Sequence, residues 1–535
     1  MNASIERMAL AQQAQETAEK KETKASASTL LVEIALEQYE LGISTTGDSF
    51  AIPTSGPKIV RLLRGSRSSL RAAMAREFFS RYGKATSQQA LADAGMVLEG
   101  LAQDSDEQEL HLRVGAGLAG VAGHEYGQYK DDLWLDMGDQ TGRAIHITPS
   151  GWTVEADPPM LFKRTVLMGA LPDPERGGSL EKLFDFLNVE TPDRPLLVAW
   201  LVAALFPDIP HPILCFNGEQ GTGKTTAQKI VVSVMDPGPV PTRKPPRDAD
   251  SWVTAAAGSW LVGLDNLSTV PDWLSDSLCR AVTGDGDVRR KLYTDGEHAV
   301  FAFRRCICLT SIDLGAVRGD LGERMLPIGL DIIPDTERML ESDIWPAWEQ
   351  AHPRILGAVL DLCAGVMAAL PFVELRSKPR MADFARIVAA VDKVLGTEGL
   401  AHYLTKQTSM AADSLDGDNF ITALAKIDTF NGTAAELLDK ITPDKPPKGW
   451  PANARSVTQR LRRQAPVMRK AGWRVTDDGG QNHQKVVEWT LTRPEIARIS
   501  YPRDPHTRKN DSERGSAGVA GQEYATSQDE SEVDL

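Results

Sequence analysis

The spacing of hydrophobic residues divides the first third of the chain into two parts. From Leu30 to Leu101, apolar residues recur at helical intervals, and Pro and Gly interrupt them near Ile52 to Pro57. Between Leu110 and Val154, short alternating runs are separated by turn residues, which is typical of a small β meander. The pattern predicts an α+β N-terminal domain over residues 29–172, with the helices first and the meander after them.

The remaining segments also differ from one another in the spacing of their apolar residues. Residues 1–28 and 502–535 lack apolar periodicity, so we expect a disordered or frayed-helical start and a disordered tail. Helical spacing returns over 341–424, and a last unit, 425–495, ends in the alternating run from Val486 to Leu491. These boundaries leave 179–340 as a separate domain.

Residues 179–340 contain an apolar stretch, Pro212 to Phe216, followed by a glycine-rich loop and a helical pattern. The loop and the first helical turn comprise Gly218, Glu219, Gln220, Gly221, Thr222, Gly223, Lys224, Thr225 and Thr226. Glycines allow successive backbone N–H groups to point at phosphate oxygens, and the helix N-terminus adds partial positive charge. Lys224 is placed for the β- and γ-phosphates, and Thr225 offers a hydroxyl to Mg²⁺. The segment therefore predicts a P-loop that binds a nucleoside triphosphate.

Polar residues also end or precede the next apolar runs. Asp265 follows an apolar strand pattern and can hold Mg²⁺ through water opposite Thr225, although such an acid can also simply cap the next turn. Ser311 ends a second strand pattern, and Arg324 stands just before a third. This order of residues narrows the class of nucleotide-binding protein.

Taken in order, these residues resemble the superfamily 3 helicase ATPases of the AAA+ class, especially the ATPase half of phage and poxvirus primase-helicases. The matching features are the P-loop, Asp265, the segment Thr283 to Asp287, a hairpin turn at Asp295-Gly296, Ser311, and the motif Leu321 to Arg324. The likeness covers about 195–335, and ATP-binding proteins of bacterial mobile elements and prophages look similar over both flanks as well. It implies an α/β, AAA+-like core that hydrolyses ATP with Mg²⁺ and acts as a DNA helicase in replication.

The resemblance also assigns roles to single residues. It implies a catalytic set of Lys224, Asp265, Asn266, Ser311 and Arg324. In the family the arginine contacts the γ-phosphate held by the neighbouring subunit, which implies a homo-oligomeric ring, a hexamer. The alternative for Arg324 is a salt bridge with one of the two nearby acids, Glu323 or Asp320.

Two residues depart from the family pattern. Asn266 stands where the family has an acid that polarises the attacking water, and an amide orients water but cannot accept its proton. Hydrolysis is then slow, or another acid such as Asp287 serves. Ser311 replaces the usual sensor Asn, although a hydroxyl can still bond the γ-phosphate. Asn266 favours an alternative function, an ATP-driven assembly switch or loader that recruits replication proteins with weak hydrolysis, whereas nothing supports a small-molecule kinase.

The net charge of −14 argues against general polyanion binding, so DNA contacts require local basic patches. Arg289, Arg290 and Lys291 precede the hairpin, and Arg304 and Arg305 follow it. In the family this region lines the ring channel and contacts the backbone of single-stranded DNA. A solvated rim or ion pairs between subunits would use the same residues.

A second basic patch lies in the C-terminal unit, where Lys448 to Lys485 holds nine Lys and Arg against two acids. A capping-box pattern starts one helix at Thr433, a second helix runs from about Ala454, and two strand-like runs follow. The exposed side of the second helix carries Arg455, Arg462 and Arg463. This order predicts a winged helix-turn-helix that binds DNA, with a protein-interaction domain of the same shape as the alternative.

Composition adds little to this interpretation. The longest apolar run, Leu196 to Phe206, is far shorter than the ~20 residues that cross a bilayer, and we expect no membrane contact. Five cysteines without a C-x-x-C pair fit a reducing bacterial cytoplasm, or the host cytoplasm for a phage protein, and small buried side chains rather than a metal site. Asp131, Asp132 and Asp136 are weak metal candidates that we interpret as turn and surface residues.

Overall fold

The computed structural model describes residues 26–64, 69–117, 132–267, 269–284, 287–290, 298–301, 304–310, 319–416, 418–447, 449–480 and 486–494. At 287–290 and 298–301 the description covers the backbone alone. Predictions for Lys291, Ser311, Asp131, the turn at Asp295-Gly296 and the two ends of the chain lie outside these residues.

The N-terminal elements form a small sheet against three helices. They are α1 (Ala27–Gln38), β1 (Tyr39–Ser44), β2 (Ser49–Pro53), β3 (Arg61–Leu62), α2 (Leu70–Tyr82), α3 (Gln88–Gln103) and β4 (Glu107–Gln108). The strand order is β3-β2-β1-β4, and the apolar side chains of α1 and α3, among them Leu31, Ile34 and Leu98, share one core. The helical spacing expected before the Pro/Gly interruption is wrong over Tyr39–Pro53, where the chain forms an antiparallel hairpin.

The predicted meander is confirmed. The next strands are β5 (Leu110–His111), β6 (Val114–Ala116), β7 (Leu133–Asp136), β8 (Ala144–Thr148), β9 (Gly151–Glu155) and β10 (Leu161–Phe162). Strands β6 to β9 pair antiparallel in sequence order, and β5 pairs with β10. Asp132 bonds His146 at 2.6 Å. Asp136 is buried against Arg164 at 2.5 Å, so the expectation of a surface position is wrong for this residue.

A five-stranded parallel sheet forms the centre of the chain. Its elements are α4 (Arg194–Ala203), β11 (Ile213–Asn217), α5 (Lys224–Met235), β12 (Thr242–Arg243), α6 (Ala249–Ala257), β13 (Leu261–Leu264), α7 (Asp272–Thr283), β14 (Asp287–Arg290), β15 (His298–Phe301), β16 (Cys306–Thr310), α8 (Gly319–Gly322) and β17 (Met325–Gly329). The strand order is β12-β13-β16-β11-β17, while β14 and β15 form a separate hairpin. Strands β11, β13, β16 and β17 are almost entirely buried, which explains their continuous apolar runs.

The order of this sheet determines where a ligand can bind. From β11 the chain moves to β12 at one edge and returns strand by strand to β16, then crosses β11 to form β17 on its other side. In open parallel sheets the crevice for a ligand lies beyond the carboxyl ends of the strands, where the strand order reverses. That point lies at the end of β11, where the glycine-rich loop begins.

Three helices follow the sheet: α9 (Glu341–Ala369), α10 (Ala382–Leu395) and α11 (Gly399–Asp416). Together with the turn that follows it, α9 is long and apolar enough to cross a membrane by length and composition, but 72% of its apolar window is buried inside the fold. Ile355, Val359 and Val366 pack in the largest core of the protein, so packing accounts for the apolar character of α9.

The C-terminal elements have a core of their own. They are α12 (Asn419–Leu424), β18 (Thr429–Thr433), α13 (Ala434–Ile441), α14 (Ala454–Lys470), β19 (Arg474–Asp477) and β20 (Glu488–Thr492). Thr433 caps α13 through the expected capping box, and Val457 and Leu461 of α14 face the core. The three strands form an antiparallel sheet in the order β18-β20-β19 beside the two longer helices.

Candidate functional site

The loop 218–223, called here the glycine loop, connects the central strand β11 to α5. Gly221 and Gly223 have φ of 88° and 77°, in the left-handed region that side chains other than Asn and Asp rarely adopt. Gly223 is the N-cap of α5, so the first free N–H groups of that helix lie at the end of the loop. Thr222 is buried, and its hydroxyl donates to the carbonyl of Glu219 at 3.0 Å, which braces the turn from within.

Lys224 lies inside the turn made by the glycine loop. Its Nζ donates to the carbonyl oxygen of Gly218 at 2.8 Å and to that of Glu219 at 2.6 Å. The two acceptors are uncharged, so no carboxylate neutralises the ammonium through these bonds. An ammonium held by backbone carbonyls can exchange them for phosphate oxygens, which are stronger partners for a cation.

A carboxylate and two hydroxyls meet beside the loop, at the ends of β13 and β16. Thr225 donates to Asp265 Oδ1 at 3.0 Å, and Thr310 donates to the same oxygen at 2.6 Å. The Thr310 hydroxyl also accepts from the backbone N–H of Asn266 at 2.7 Å. Thr225 and Asp265 therefore lie in direct hydrogen-bond contact.

Sequence reasoning missed Thr310. The predicted sensor at this strand end was Ser311, which lies outside the described residues. Thr310 is the last residue of β16 and is almost fully buried, with one hydroxyl that binds both Asp265 and Asn266. Its only signal in the sequence is a polar residue at the end of the run Cys306 to Leu309.

Asn266 follows Asp265 with φ of 58° and is the one non-glycine residue with positive φ among those that the structure describes. Asn adopts this left-handed conformation more readily than most residues, including the longer Glu. The backbone here turns sharply away from β13 and brings the N–H of Asn266 to Thr310. The local conformation thus supplies a physical reason for Asn at a position where the resembling family has an acid.

The helix after the loop is fixed to the sheet by a buried amide. Gln228 of α5 donates from Nε2 to the carbonyl of Leu264 at 3.0 Å and to that of Cys308 at 2.7 Å. These carbonyls belong to β13 and β16, so Gln228 sets the distance between the loop and the strand ends that carry Asp265 and Thr310. Cys308 and its neighbour Cys215 are buried, and burial raises the pKa of both thiols, that of Cys215 to about 12.

A cavity of about 540 Å³ opens beside the glycine loop. One wall is formed by Gly221, Gly223 and Thr226, and the opposite walls by the segments 184–189 and 331–339. Asn188 holds the two segments together, since its Nδ2 bonds the carbonyl of Asp331 and its own carbonyl accepts from the N–H of Asp331. Beyond the loop, both apolar and charged side chains line the cavity.

Arg324 lies at the opposite edge of the sheet from the loop. The N–H of Ile213, the first residue of β11, donates to the carbonyl of Arg324 at 2.7 Å, whereas the loop follows the last residue of β11. Five strand residues span about 17 Å, so Arg324 and Lys224 of one chain do not meet. The alternative salt bridge is present: Nη1 of Arg324, whose side chain is buried, bonds the exposed carboxylate of Asp320. Burial alone would raise the pKa of Asp320, but hydrogen bonding and charge from Arg324 lower it.

The basic residues near the hairpin divide into two groups. Arg289 and Arg290 lie on β14, where only the backbone is described. Arg304 donates to the carbonyls of Pro207 and Thr283, and Arg305 donates to the carbonyl of Ala256. Burial lowers the pKa of Arg305 to about 10. Backbone carbonyls therefore bind the guanidinium groups of both Arg304 and Arg305, the two basic residues that follow the hairpin.

The basic face of α14 is exposed as expected. Arg455, Arg462 and Arg463 all have exposed side chains on this helix. Arg460 on the same helix instead bonds Asp418 at 2.7 Å and the carbonyl of Gly449. Arg460 therefore has structural partners, whereas Arg455, Arg462 and Arg463 are exposed.

Two family models match the chain. Residues 178–413 match the actinomycete integrative conjugative element replication protein, AICE RepA, and residues 419–505 match the AICE RepA C-terminal domain. The first matched region includes the parallel sheet, the glycine loop and most of the three helices that follow the sheet, and the second begins at α12 and includes α14.

Solved structures show remoter likenesses. The structure titled "The A form apo structure of NrS-1 C terminal region-CTR" is 12% identical with a TM-score of 0.36, over 86% of this chain and 98% of that one. "The X-ray structure of JCV Helicase" is 13% identical with a TM-score of 0.23, over 45% and 66%. Comparison with curated proteins finds no match. At these TM-scores the likenesses carry no inference about the site.

Proposed function

We propose that the protein is an ATP-dependent DNA helicase or translocase that acts in the replication of a mobile genetic element. One observation carries the proposal: Asp265 accepts from both Thr225 and Thr310 beside a glycine loop that encloses Lys224. The description of the matching family, a replication protein of an integrative conjugative element, supports the biological setting.

The residues at the loop fit ATP with Mg²⁺. Lys224 would bind the β- and γ-phosphates in place of two loop carbonyls, and the N–H groups at the start of α5 would face the same phosphates. Mg²⁺ prefers oxygen ligands and keeps several waters, and the Asp265 carboxylate with the Thr225 hydroxyl supplies such oxygens. When bound, Mg²⁺ neutralises phosphate charge. The adjoining cavity has room for the nucleoside.

Arg324 supports assembly into a ring. A cation at the amino-terminal ends of the strands cannot reach a nucleotide bound at the loop of its own chain, but it can contact one bound at the loop of a neighbouring subunit. In this proposal Arg324 exchanges Asp320 for the γ-phosphate of an adjacent subunit, and a homo-hexamer completes each site.

The C-terminal domain supports DNA binding. Two helices followed by paired strands have the order of a winged helix-turn-helix, and α14 exposes three arginines that carry no ion pair in the described structure. Phosphate contacts need cations held on a rigid element without base specificity. We propose that Arg455, Arg462 and Arg463 bind DNA phosphates, in a bacterial cytoplasm.

Asn266 favours a second candidate, an ATP-driven switch or loader that assembles and recruits replication proteins with weak hydrolysis. In its left-handed conformation Asn266 places an amide, not a base, beside Asp265. The residue therefore leaves ATP binding intact and removes the usual proton acceptor.

DNA-stimulated hydrolysis separates the two candidates. The rate of phosphate release is measured with and without single-stranded DNA, beside strand displacement on a forked duplex. The helicase proposal expects stimulation and displacement, both abolished in Lys224→Ala. If the protein binds nucleotide but shows neither DNA stimulation nor strand displacement, the helicase proposal is contradicted and the proposal of an ATP-driven switch or loader remains.

A further inference from the structure

A second cation lies against the glycine loop from the other side. The segment after β17 returns along the loop, anchored by the N–H of Leu330, which donates to the carbonyl of Asn217 at 2.9 Å. A Cβ built on Gly221 would stand 3.1 Å from Nη2 of Arg338, and one on Gly223 would stand 3.3 Å from the Ile333 side chain. The segment therefore covers the loop with a guanidinium at Gly221 and with an apolar side chain at Gly223.

The existing partner of Arg338 leaves much of its guanidinium available. Nε lies 3.4 Å from Asp335 Oδ1, and that carboxylate is 92% exposed. A pair so open to water contributes little free energy. A guanidinium carries five N–H donors, and here Nη2 faces the loop while Nε faces Asp335. The charge near Gly221 is thus only weakly neutralised by this pair.

Arg338 also lines the cavity beside the loop. Its polar lining comprises glycine-loop residues, Arg338 and the charged residues Asp185, Arg194, Asp331 and Glu337, and Phe186, Ile333 and Met339 contribute to its apolar lining. A ligand that fills this cavity and continues into the loop passes the guanidinium. Arginine binds phosphate oxygens in a two-pronged geometry that a compact ammonium cannot reproduce.

We propose that Arg338 is a second phosphate-binding cation. Arg338 and Lys224 of the same chain then contact one bound nucleoside diphosphate or triphosphate. The inference rests on the proposed nucleotide site. The Arg338 guanidinium lies beside Gly221, in the middle of the glycine loop, whereas Lys224 follows the end of the loop. Its contact is therefore to the diphosphate part shared by ADP and ATP, and it strengthens the binding of both.

Binding of fluorescent ADP and ATP analogues to the full chain tests the proposal. Arg338→Ala weakens both nucleotides by a similar factor, about 10- to 100-fold, the usual cost of removing a hydrogen-bonded charge. Arg338→Lys keeps the charge and recovers part of the affinity. The affinity of Arg338→Ala also depends less on salt concentration, a change that a merely structural role would not produce.

Two variants serve as controls. Asp335→Ala removes the ion pair and leaves the guanidinium, so both affinities stay within about threefold of the wild type. Arg354→Ala removes an exposed arginine paired with Glu175, which is not among the residues lining the cavity, and changes neither affinity.

The outcomes separate this inference from the function on which it rests. Wild-type affinity in Arg338→Ala, with affinity lost in Lys224→Ala, overturns the role of Arg338 and leaves the nucleotide site standing. Equal losses in Asp335→Ala and Arg338→Ala also overturn it, because the residue would then act by ordering the segment. If the wild type binds neither nucleotide, both proposals fail.

Discussion

Asp236→Asn should destabilise the whole fold, because Asp236 joins three parts of the structure in a buried position. It lies at the end of α5, where Oδ1 accepts from Arg113 Nε at 2.9 Å. Oδ2 accepts from the backbone N–H groups of Trp260 and Leu261, each at 2.9 Å. Arg113 precedes the meander strand β6, so one carboxylate links that sheet to α5 and to β13.

The size of the expected loss of stability follows from the burial of both charges. The side chains of Arg113 and Asp236 are 0% and 2% exposed, and the other donors of Arg113 bind the carbonyls of Asp136 and Gly169. In Asp236→Asn the guanidinium keeps its position but loses its counter-charge. The new amide also turns an N–H group toward either Arg113 or the two backbone donors. Breaking a buried pair on one side costs about 3–5 kcal/mol.

Urea unfolding followed by tryptophan fluorescence measures this cost. Asp157→Asn is the matched control, because Asp157 pairs with Lys58 at the surface and is 67% exposed. An exposed pair contributes about 0–1 kcal/mol, so the control should unfold almost as the wild type does. If Asp236→Asn lost no more stability than Asp157→Asn, the assignment of Asp236 as a buried junction would be refuted.

Three further predictions follow from the site and the core. Burial, and next the charge of Arg304, lower the pKa of His211 from its ordinary value of 6.5 to about 3. Because the unfolded chain takes up this proton at higher pH than the folded chain does, the stability of the fold is full above pH 6.5 and falls by about 2 kcal/mol between pH 7 and 5. The fall should be shallower in His211→Gln. Thr310→Val removes the donor to Asp265 and the acceptor of Asn266, so the ATPase rate should fall at least about tenfold while the fold is kept; an unchanged rate would deny Thr310 a role. Replacing the three exposed arginines of α14 by Ala should lower the salt slope of DNA binding by about 3, and an unchanged slope would remove α14 from the interface.

The glycine loop could be predicted from sequence because its chemistry is local. Glycine spacing, Lys224 and Thr225 lie within one turn of chain, and the positive φ of Gly221 and Gly223 fits their residue type. Asp265 could be placed because it ends an apolar strand. The capping box at Thr433 and the paired strands β19 and β20 were also accessible, since they depend on short-range signals.

The features that were missed depend on partners distant in sequence. Thr310 acquires its role only when β16 inserts between β11 and β13 and its hydroxyl meets Asp265. Arg113 and Asp236 are 123 positions apart, and no local pattern marks them as a pair. Arg305 was grouped with the other basic residues near the hairpin, yet the fold brings it to the carbonyl of Ala256. Charge in a sequence does not say whether backbone acceptors surround it.

The hairpin of β1 and β2 was missed for a different reason. Its strands are short and follow α1 directly, and Pro53 and the following glycine suggested only an interruption between helices. In the structure Pro53 ends β2, a position where a missing N–H costs little. Gly42 is required in β1, because a Cβ there would stand 2.5 Å from the ring of Phe50.

Titration of the chain with Mg²⁺ and ATP, followed by isothermal calorimetry, tests the central claim most directly. Lys229→Ala is the matched control: Lys229 lies on the same helix as Lys224, but its Nζ pairs with Glu341 at 3.3 Å instead of bonding the glycine loop. The account predicts that the wild type and Lys229→Ala bind ATP equally and that Lys224→Ala binds at least about tenfold more weakly. A wild type that binds no ATP, or a Lys224→Ala variant that binds as tightly as the wild type, would contradict it.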